Sequence, residues 1–148
     1  MHLKISSPEK NVYEGSIAQV TLPTESWEIT ILPGHVPIVT ALKPGIIKIV
    51  PQGQHTNSIE YILSKNAIAI SVGKGMAFID GKIVRVVTAT ATTTIKEGEA
   101  GLHKKKWELE EQIKQLRKKG SIEEIEKSLI KLEKINADIK LERIKNLS

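Results

Sequence analysis

The sequence has no cysteine, few aromatic residues and no long hydrophobic run. Among its 148 residues there is no Cys, and Phe, Trp and Tyr together make up 3%. The absence of cysteine excludes disulfides, thiolate nucleophiles and zinc–thiolate sites. No stretch approaches the roughly 20 apolar residues that a membrane-spanning helix needs. The core must therefore be built from Ile, Val, Leu and Ala, of which Ile and Val favour β-strands.

Motifs that would indicate catalysis are also missing. The four histidines are His2, His35, His55 and His103. None has the spacing of a metal site, and there is no GxSxG, P-loop or GxGxxG pattern. Gly73-Lys74-Gly75 is rich in glycine, but no helix follows that could hold a phosphate, so a β-turn is favoured there. We therefore expect no enzyme activity, no catalytic residue, no metal ion and no cofactor.

Charge divides the chain into two unequal parts. Residues 1–94 contain eight Lys or Arg and six Asp or Glu, whereas residues 95–148 contain fourteen and eleven. The density of charge therefore rises about threefold near residue 94. This change predicts two domains, 1–94 and 95–148. Residues 1–5 already alternate like a strand, so we expect no signal peptide and a cytoplasmic address.

Up to about residue 94 the sequence is a series of short strand-like runs separated by turn residues. The runs are 1–5, 16–22, 28–31, 46–50, 60–63, 67–72, 76–79 and 82–87. Asp80-Gly81 separates the last two and is a strong hairpin signal. Many short strands without helical connections predict an antiparallel β-sandwich or barrel. We predict a sandwich of about ten strands in an α+β chain.

From about residue 97 the apolar residues recur with the period of a helix. Gly120 ends a first helical run, and Ser121 to Glu124 reads as a capping box that begins a second. Two helices joined by so short a break must form an antiparallel hairpin. Its second helix carries an extra apolar stripe, formed by Ile130, Ala137, Leu141 and Ile144. Since nothing inside a two-helix hairpin covers this stripe, the hairpin must pack on the β domain, on another protein, or on each in turn.

Basic clusters on the first helix have two interpretations. They comprise Lys104, Lys105, Lys106, Lys114, Arg117, Lys118 and Lys119. They are either a solvated helix face or a binding face for an acidic partner. Nucleic acid is a poor fit, because only three of the 22 basic residues are arginine and no aromatic residues are interleaved with them. Trp107 lies among these charges, where docking is slightly favoured over a place in the hairpin core.

Several segments resemble the epsilon subunits of F-type ATP synthases. Residues 31–45, ILPGHVPIVTALKPG, resemble the PGHAPLLTALKPG segment of that family, and residues 3–9 and 13–15 are similar to its first strands. Residues 73–78 and 82–86 are similar to its GGxLEV…VTVL hairpin, with one glycine replaced. A helical hairpin follows in the expected order, so the resemblance extends over nearly the whole chain.

The resemblance implies a non-catalytic rotor subunit of a proton-translocating synthase, peripheral on the cytoplasmic face of the cell membrane. Its β-sandwich would contact the gamma subunit and the c-ring, and its hairpin would restrain ATP hydrolysis at the alpha and beta head. Aligned on His35, Glu28 takes the place of a glutamate that faces the c-ring, with Trp27 in place of glycine. The segment of Pro33, Gly34, His35 and Pro37 would be a gamma interface or a structural loop, and the basic residues of the first helix would face the head.

Two departures from the family pattern affect these expectations. Residues 51–66 are longer than the corresponding family hairpin, which implies an extended β-hairpin or an extra strand. Some bacterial relatives bind ATP through an [IL]DxxRA motif, but residues 95–100 read IKEGEA and lack its arginine. We therefore expect no ATP binding by that route. The alternative to a rotor subunit is a free-standing binding module whose basic hairpin recruits an acidic protein or nucleic acid.

Overall fold

A computed structural model describes residues 1–53, 61–64 and 66–147 of the chain. The strands are β1 (His2–Ser6), β2 (Asn11–Pro23), β3 (Glu28–Ile31), β4 (Ile38–Leu42), β5 (Gly45–Pro51), β6 (Ile62–Ser64), β7 (Ala67–Val72), β8 (Gly75–Ile79), β9 (Ile83–Thr88) and β10 (Ala91–Thr92). The helices are α1 (Gly98–Lys119) and α2 (Ile122–Leu147). This order confirms the predicted fold, a β-sandwich of ten strands followed by two packed helices.

Strand β2 is long enough, at 13 residues, to belong to both layers of the sandwich. Its first half pairs with β1, and its second half pairs with β3 and β5 after an irregularity between Ile17 and Gln19. One layer continues from β1 through β9 and β8 to β4, and the other from β5 through β7 to β10. All pairs are antiparallel except that of β1 with β9. The bend in β2 thus folds one strand path into two facing sheets.

The space between the layers is filled by aliphatic side chains, as the lack of aromatic residues requires. Alternate residues of β9 and β1, such as Val84, Val86 and Leu3, are fully buried. Tyr13 is the one large aromatic side chain in this core, and burial, with the nearby Tyr61, raises its pKa to about 12. The Tyr61 hydroxyl donates to the carbonyl oxygen of Val12 at 2.8 Å, which fixes the chain just before β6.

Three strands differ from the prediction. Residues 38–42, which were not predicted to be a strand, form β4, which pairs with β8 from Ile38–Ile79 to Leu42–Gly75. Strand β2 begins five residues earlier than predicted, and β10 was not predicted at all. Of the extension at 51–66, β5 ends at Pro51 and β6 pairs with β7, while residues 54–60 and 65 lie outside the described part of the chain. Within the described residues, the segment thus ends in β6, close to the strand predicted at 60–63.

The two helices form the predicted hairpin. Gly120 closes α1 in the left-handed conformation, at φ 73°, and its N–H donates to the carbonyl oxygen of Leu116 at 3.0 Å. In α2 the apolar stripe packs on the sandwich, where Ala137 and Leu141 join Ile46 and Ala69 in one cluster. Leu141 is completely buried. The stripe that had no partner inside the hairpin therefore packs on the outer surface of β5, β6 and β7.

Candidate functional site

The turn that carries Trp27 and Glu28 projects from one end of the sandwich. It connects β2 to β3, and Thr24 holds it closed: the Thr24 hydroxyl donates to the Trp27 carbonyl, and the Trp27 N–H lies 3.2 Å from that hydroxyl oxygen. Thr24 is buried, whereas 69% of Trp27 is exposed and Glu28 is exposed as well. A buried threonine thus fixes a turn whose large aromatic tip contacts solvent. An exposed tryptophan on a fixed turn is a typical contact residue.

The segment between β3 and β4 is held by a tight turn and by a neighbouring hairpin. The His35 N–H donates to the Leu32 carbonyl oxygen at 3.1 Å across the turn, and Gly34 supplies the positive φ, 82°, that the turn requires. The Gly34 N–H donates to the carbonyl oxygen of Gly81 at 3.0 Å. Pro33 and Pro37 restrict the backbone on either side. The segment is therefore an ordered loop.

His35 in this loop has an intramolecular partner. Its Nδ1 lies 2.7 Å from the carbonyl oxygen of Val36, so the ring donates an N–H to the backbone there. The ring is half-buried, whereas Pro33, Gly34, Val36 and Pro37 are all exposed. This contact favours the structural role for His35, and the residues around it are the ones that face outward. Because the loop follows β3 and the Trp27 turn precedes it, the two candidate contacts do not form one site.

An apolar surface that the sequence analysis missed lies on the outer face of β4, β8 and β9. It consists of Val39, Met76, Phe78, Ile83 and Val87, and we call it the outer apolar face. Val39 is paired with Phe78, and Met76 with Val87. Val39 is 60% exposed and Phe78 is 43% exposed. Neighbouring apolar side chains thus form one exposed patch across three strands.

Arg85 lies within the outer apolar face, and the turn that contains Asp80 and Lys82 borders it. Arg85 of β9 pairs with Phe78 of β8, so the guanidinium lies within the patch. The Asp80 carboxylate accepts the N–H groups of Ile83 and Lys82, at 2.8 and 2.9 Å. These bonds to the charged form hold the pKa of Asp80 below its ordinary value. Asp80 therefore holds the turn in shape and keeps its own negative charge at neutral pH.

The signal for this face was present in the sequence. In a two-layered antiparallel sandwich the outer positions of each strand are expected to be polar, because they contact water. Residues 76–79 and 83–87 break this rule: Met76, Phe78, Ile83 and Val87 are outward and apolar. The hairpin was predicted, but no conclusion was drawn from the apolar residues on both faces of its strands. Large exposed apolar patches are typical of interaction surfaces.

The basic residues of α1 do not form one uninterrupted face. Lys105 pairs with Glu97, just before α1, at 2.5 Å, and Lys114 pairs with Glu111 at 3.3 Å. The remaining residues take part in none of the ion pairs among the described residues; they are Lys104, Lys106, Arg117, Lys118 and Lys119. Arg117, Lys118 and Lys119 are in the last turn of the helix, where the helix dipole stabilises positive charge. The cluster 117–119 at the tip of the hairpin is thus available to an acidic partner.

Polar contacts hold the hairpin against the sandwich and join its two helices. Lys134 of α2 is mostly buried, and its Nζ donates to Asp138 Oδ1 at 2.6 Å and to Thr92 Oγ1 at 2.9 Å. Arg143 donates to Glu99 at 3.2 Å, and this bond, with a weaker one to His103, lowers the pKa of Glu99. The acidic residues of 95–100 therefore pair with lysine and arginine of the same chain.

A family model decides between the two interpretations of the sequence. The model described as "ATP synthase, Delta/Epsilon chain, beta-sandwich domain" matches residues 1–94, which end just after β10. The chain belongs to this family. It is a non-catalytic subunit of an ATP synthase, which confirms the family resemblance and the expectation that it is not an enzyme. Among the described residues no helix is long and apolar enough to cross a membrane.

Curated ATP synthase epsilon chains are similar to this chain, and the length of the similar segment differs from one relative to the next. The epsilon chain of Rickettsia bellii is 27% identical over 113 residues, which are 76% of this chain and 96% of the relative. That of Herminiimonas arsenicoxydans is 36% identical over 62 residues, or 42% of this chain and 44% of the relative. That of Prochlorococcus marinus is 43% identical over 47 residues, or 32% and 35%.

Two solved assemblies contain chains with a similar fold. A chain in the Euglena gracilis mitochondrial ATP synthase, solved with its c-ring, has a TM-score of 0.69 and 19% identity over 91% of this chain and 76% of that chain. A chain in the Tetrahymena thermophila central stalk and c-ring has a TM-score of 0.50 and 14% identity over 62% and 65%. At such identities the likeness is one of fold.

Proposed function

We propose that this family member is an epsilon-type subunit of the central stalk of a proton-translocating ATP synthase. In this role it has no reaction of its own, joins the gamma subunit to the c-ring, and works at the cytoplasmic face of the cell membrane as a peripheral subunit. The family match over the whole β-sandwich carries the proposal. The similar chains in Euglena and Tetrahymena occur in assemblies that include the c-ring, which supports the same place for this chain.

The outer apolar face is the surface we assign to the gamma subunit. A stalk subunit that transmits torque needs a rigid contact, and strands β4, β8 and β9 provide one because their opposite side is packed in the core. Burying such a patch contributes about 25 cal/mol for each Å² of apolar surface removed from water. The loop of 33–37 lies beside this face through its bond to Gly81, so it extends the same contact.

The Trp27–Glu28 turn is assigned to the c-ring. It lies at the other end of β3 from the 33–37 loop, so a subunit bound there does not compete with one bound at the loop. Its exposed tryptophan adds apolar contact area, and Glu28 adds a charge that polar loops can bind. Two contacts on different sides of one stiff sandwich are what a coupling subunit requires.

The hairpin is assigned a regulatory role that depends on leaving the sandwich. Its contacts with the sandwich are one apolar cluster and the hydrogen bond from Lys134 to Thr92, so a modest change in free energy is enough to favour an alternative position. In that position the basic residues of α1 would face acidic loops of the catalytic head. Each exposed pair contributes at most about 1 kcal/mol, so several must act together.

Co-purification with the other stalk subunits tests the two assigned contacts. The double variant Val39→Ser, Phe78→Ser should release the gamma subunit, because it removes the centre of the outer apolar face. Leu63→Ser is the matched control, since Leu63 is also exposed but lies on β6. Trp27→Gly with Glu28→Ala should weaken association with the c-ring while gamma stays bound. Full assembly by both double variants would overturn the assignment.

A further inference from the structure

A cavity of about 560 Å³ lies where the end of the sandwich meets the hairpin. Its walls come from the 73–74 and 89–94 turns, the linking segment 95–97 and both helices. Sites for small molecules typically have volumes of about 300–1,000 Å³. The cavity is therefore large enough for a ligand, and it exists only while the hairpin rests on the sandwich.

Aliphatic side chains form most of the inner wall of this cavity. Ile95 and Leu102 are buried at its base, and Leu109, Ile130 and Ile135 line the sides that the helices contribute. The polar groups on this inner wall include threonine hydroxyls from the end of the sandwich. Such a wall favours a hydrocarbon body, because each methylene removed from water contributes about 0.8 kcal/mol.

The rim of the cavity has an excess of positive charge. Five lysines and two carboxylates line the cavity as a whole, and two of the lysines are already paired: Lys105 with Glu97 at 2.5 Å, and Lys134 with Asp138 at 2.6 Å. The other three are Lys74, Lys96 and Lys131. These three are exposed and take part in none of the ion pairs among the described residues. The rim thus offers ammonium groups from the sandwich, the linking segment and α2 to one anion.

We propose that this cavity binds an acyl chain that ends in a carboxylate or another anionic head group. The aliphatic wall holds the chain, and the three free lysines bind the anion at the mouth. No arginine lines the cavity, so it lacks the planar, bidentate donor that suits a polyphosphate. A ligand that contacts both the sandwich and the hairpin binds only the docked state, so it stabilises docking in proportion to its occupancy.

Calorimetric titration of the full-length chain tests the class of ligand. Dodecanoate, kept below its micelle-forming concentration, should bind one-to-one and raise the melting temperature of the chain. Dodecanol, which has the same tail without the charge, should bind at least about tenfold more weakly. Dodecyltrimethylammonium should not bind measurably. Equal binding of all three amphiphiles, or tighter binding of magnesium ATP than of dodecanoate, would overturn the proposal.

Variants test the place of binding. Lys74→Gln, Lys96→Gln and Lys131→Gln together should weaken dodecanoate binding at least about tenfold. The matched control replaces Lys10, Lys48 and Lys82, three exposed lysines away from the cavity, by Gln and should bind as the unchanged chain does.

Ile130→Trp fills the cavity from α2 without altering its charge, and it should block binding in a chain whose circular dichroism is unchanged. Unimpaired binding by both the triple lysine variant and Ile130→Trp would show that the ligand lies elsewhere.

Vesicles of phosphatidylglycerol identify the source of the acyl chain. Vesicle binding that the triple variant abolishes would indicate a membrane lipid, and binding of monomeric dodecanoate alone would indicate a free fatty acid.

Discussion

The sandwich and the hairpin are built on different principles, although they are adjacent in one chain. The sandwich has its own core, in which residues from nearly every strand are fully buried. The hairpin has no such core: α1 contributes only Leu102 and Ile113 as buried side chains, and α2 buries its stripe against Ile46, Ile62 and Ala69 of the sandwich. A helix pair whose apolar side chains are covered mainly by another part of the chain is stable only while it is docked there. The comparison indicates that one part can move while the other stays rigid.

The largest effect is expected from a change in the sandwich core. Ile47→Ala removes a completely buried side chain of β5 and should lower the free energy of unfolding by about 2–5 kcal/mol. Urea denaturation followed by circular dichroism measures this loss. Ile122→Ala is the control in the hairpin, because Ile122 is mostly exposed, and it should change stability by only a few tenths of a kcal/mol. Similar losses for both variants would contradict the difference between the two parts.

Deletion of the hairpin should separate assembly from regulation. A chain that ends at Gly101 should still assemble, because the gamma and c-ring contacts are assigned to the sandwich. ATP hydrolysis by the assembled complex should rise several-fold if the hairpin restrains the head. Reversing the charges of Arg117, Lys118 and Lys119 should raise hydrolysis in the same direction, and added salt should do so in part. Equal hydrolysis with and without the hairpin would make it a structural brace.

Leu141→Ala should release the hairpin from the sandwich without unfolding the sandwich. Leu141 is fully buried in the shared cluster, so the truncated side chain leaves a cavity in the contact between the two parts. Limited proteolysis should then cut faster between residues 93 and 101 and leave a folded fragment close to 1–94, the proposed domain. If this variant resists cleavage there, or if the whole chain unfolds together, the boundary near residue 94 is wrong.

The smallest expected effect is a pH dependence of the contact between the two helices. Because Arg143 and His103 lower the folded-state pKa of Glu99, this carboxylate stabilises the packing of α1 against α2 fully above its ordinary pKa of 4.5. That stability is lost as the pH falls through the lower, folded-state pKa. Arg143→Gln should raise the pKa of Glu99 toward its ordinary value, as measured by carboxyl NMR titration. An unchanged titration would show that the contact between Arg143 and Glu99 does not form in solution.

Much of the fold could be predicted because local patterns agree with the tertiary structure. Asp80-Gly81 predicts a hairpin, and the structure pairs β8 with β9 around it. Gly120 predicts the end of a helix, and it closes α1 with a positive φ. Strand β4 was missed because its neighbours Pro37 and Pro44 indicate a loop, and pairing with β8 outweighs that local preference. A two-residue strand such as β10 has too little sequence to carry a pattern.

The candidate contacts were predicted less completely than the fold. The Trp27–Glu28 turn and the 33–37 loop were found through the resemblance, and both are ordered, exposed elements. The outer apolar face was not found, because it joins residues of β4 to residues about 40 positions later in β8 and β9. The basic residues of α1 were grouped by sequence, although Lys105 is paired with Glu97 of the linking segment.

By itself the sequence determined the type of each part, since the change from strand to helix period and the rise in charge near residue 94 are local properties of the chain. The sequence also determined that the hairpin needs a surface to pack on, because one apolar stripe of α2 is left uncovered. Only the tertiary structure decided that this surface is β5, β6 and β7. It also decided which apolar side chains remain exposed on β4, β8 and β9. These outcomes depend on strand register and on the approach of distant segments, which periodicity does not encode.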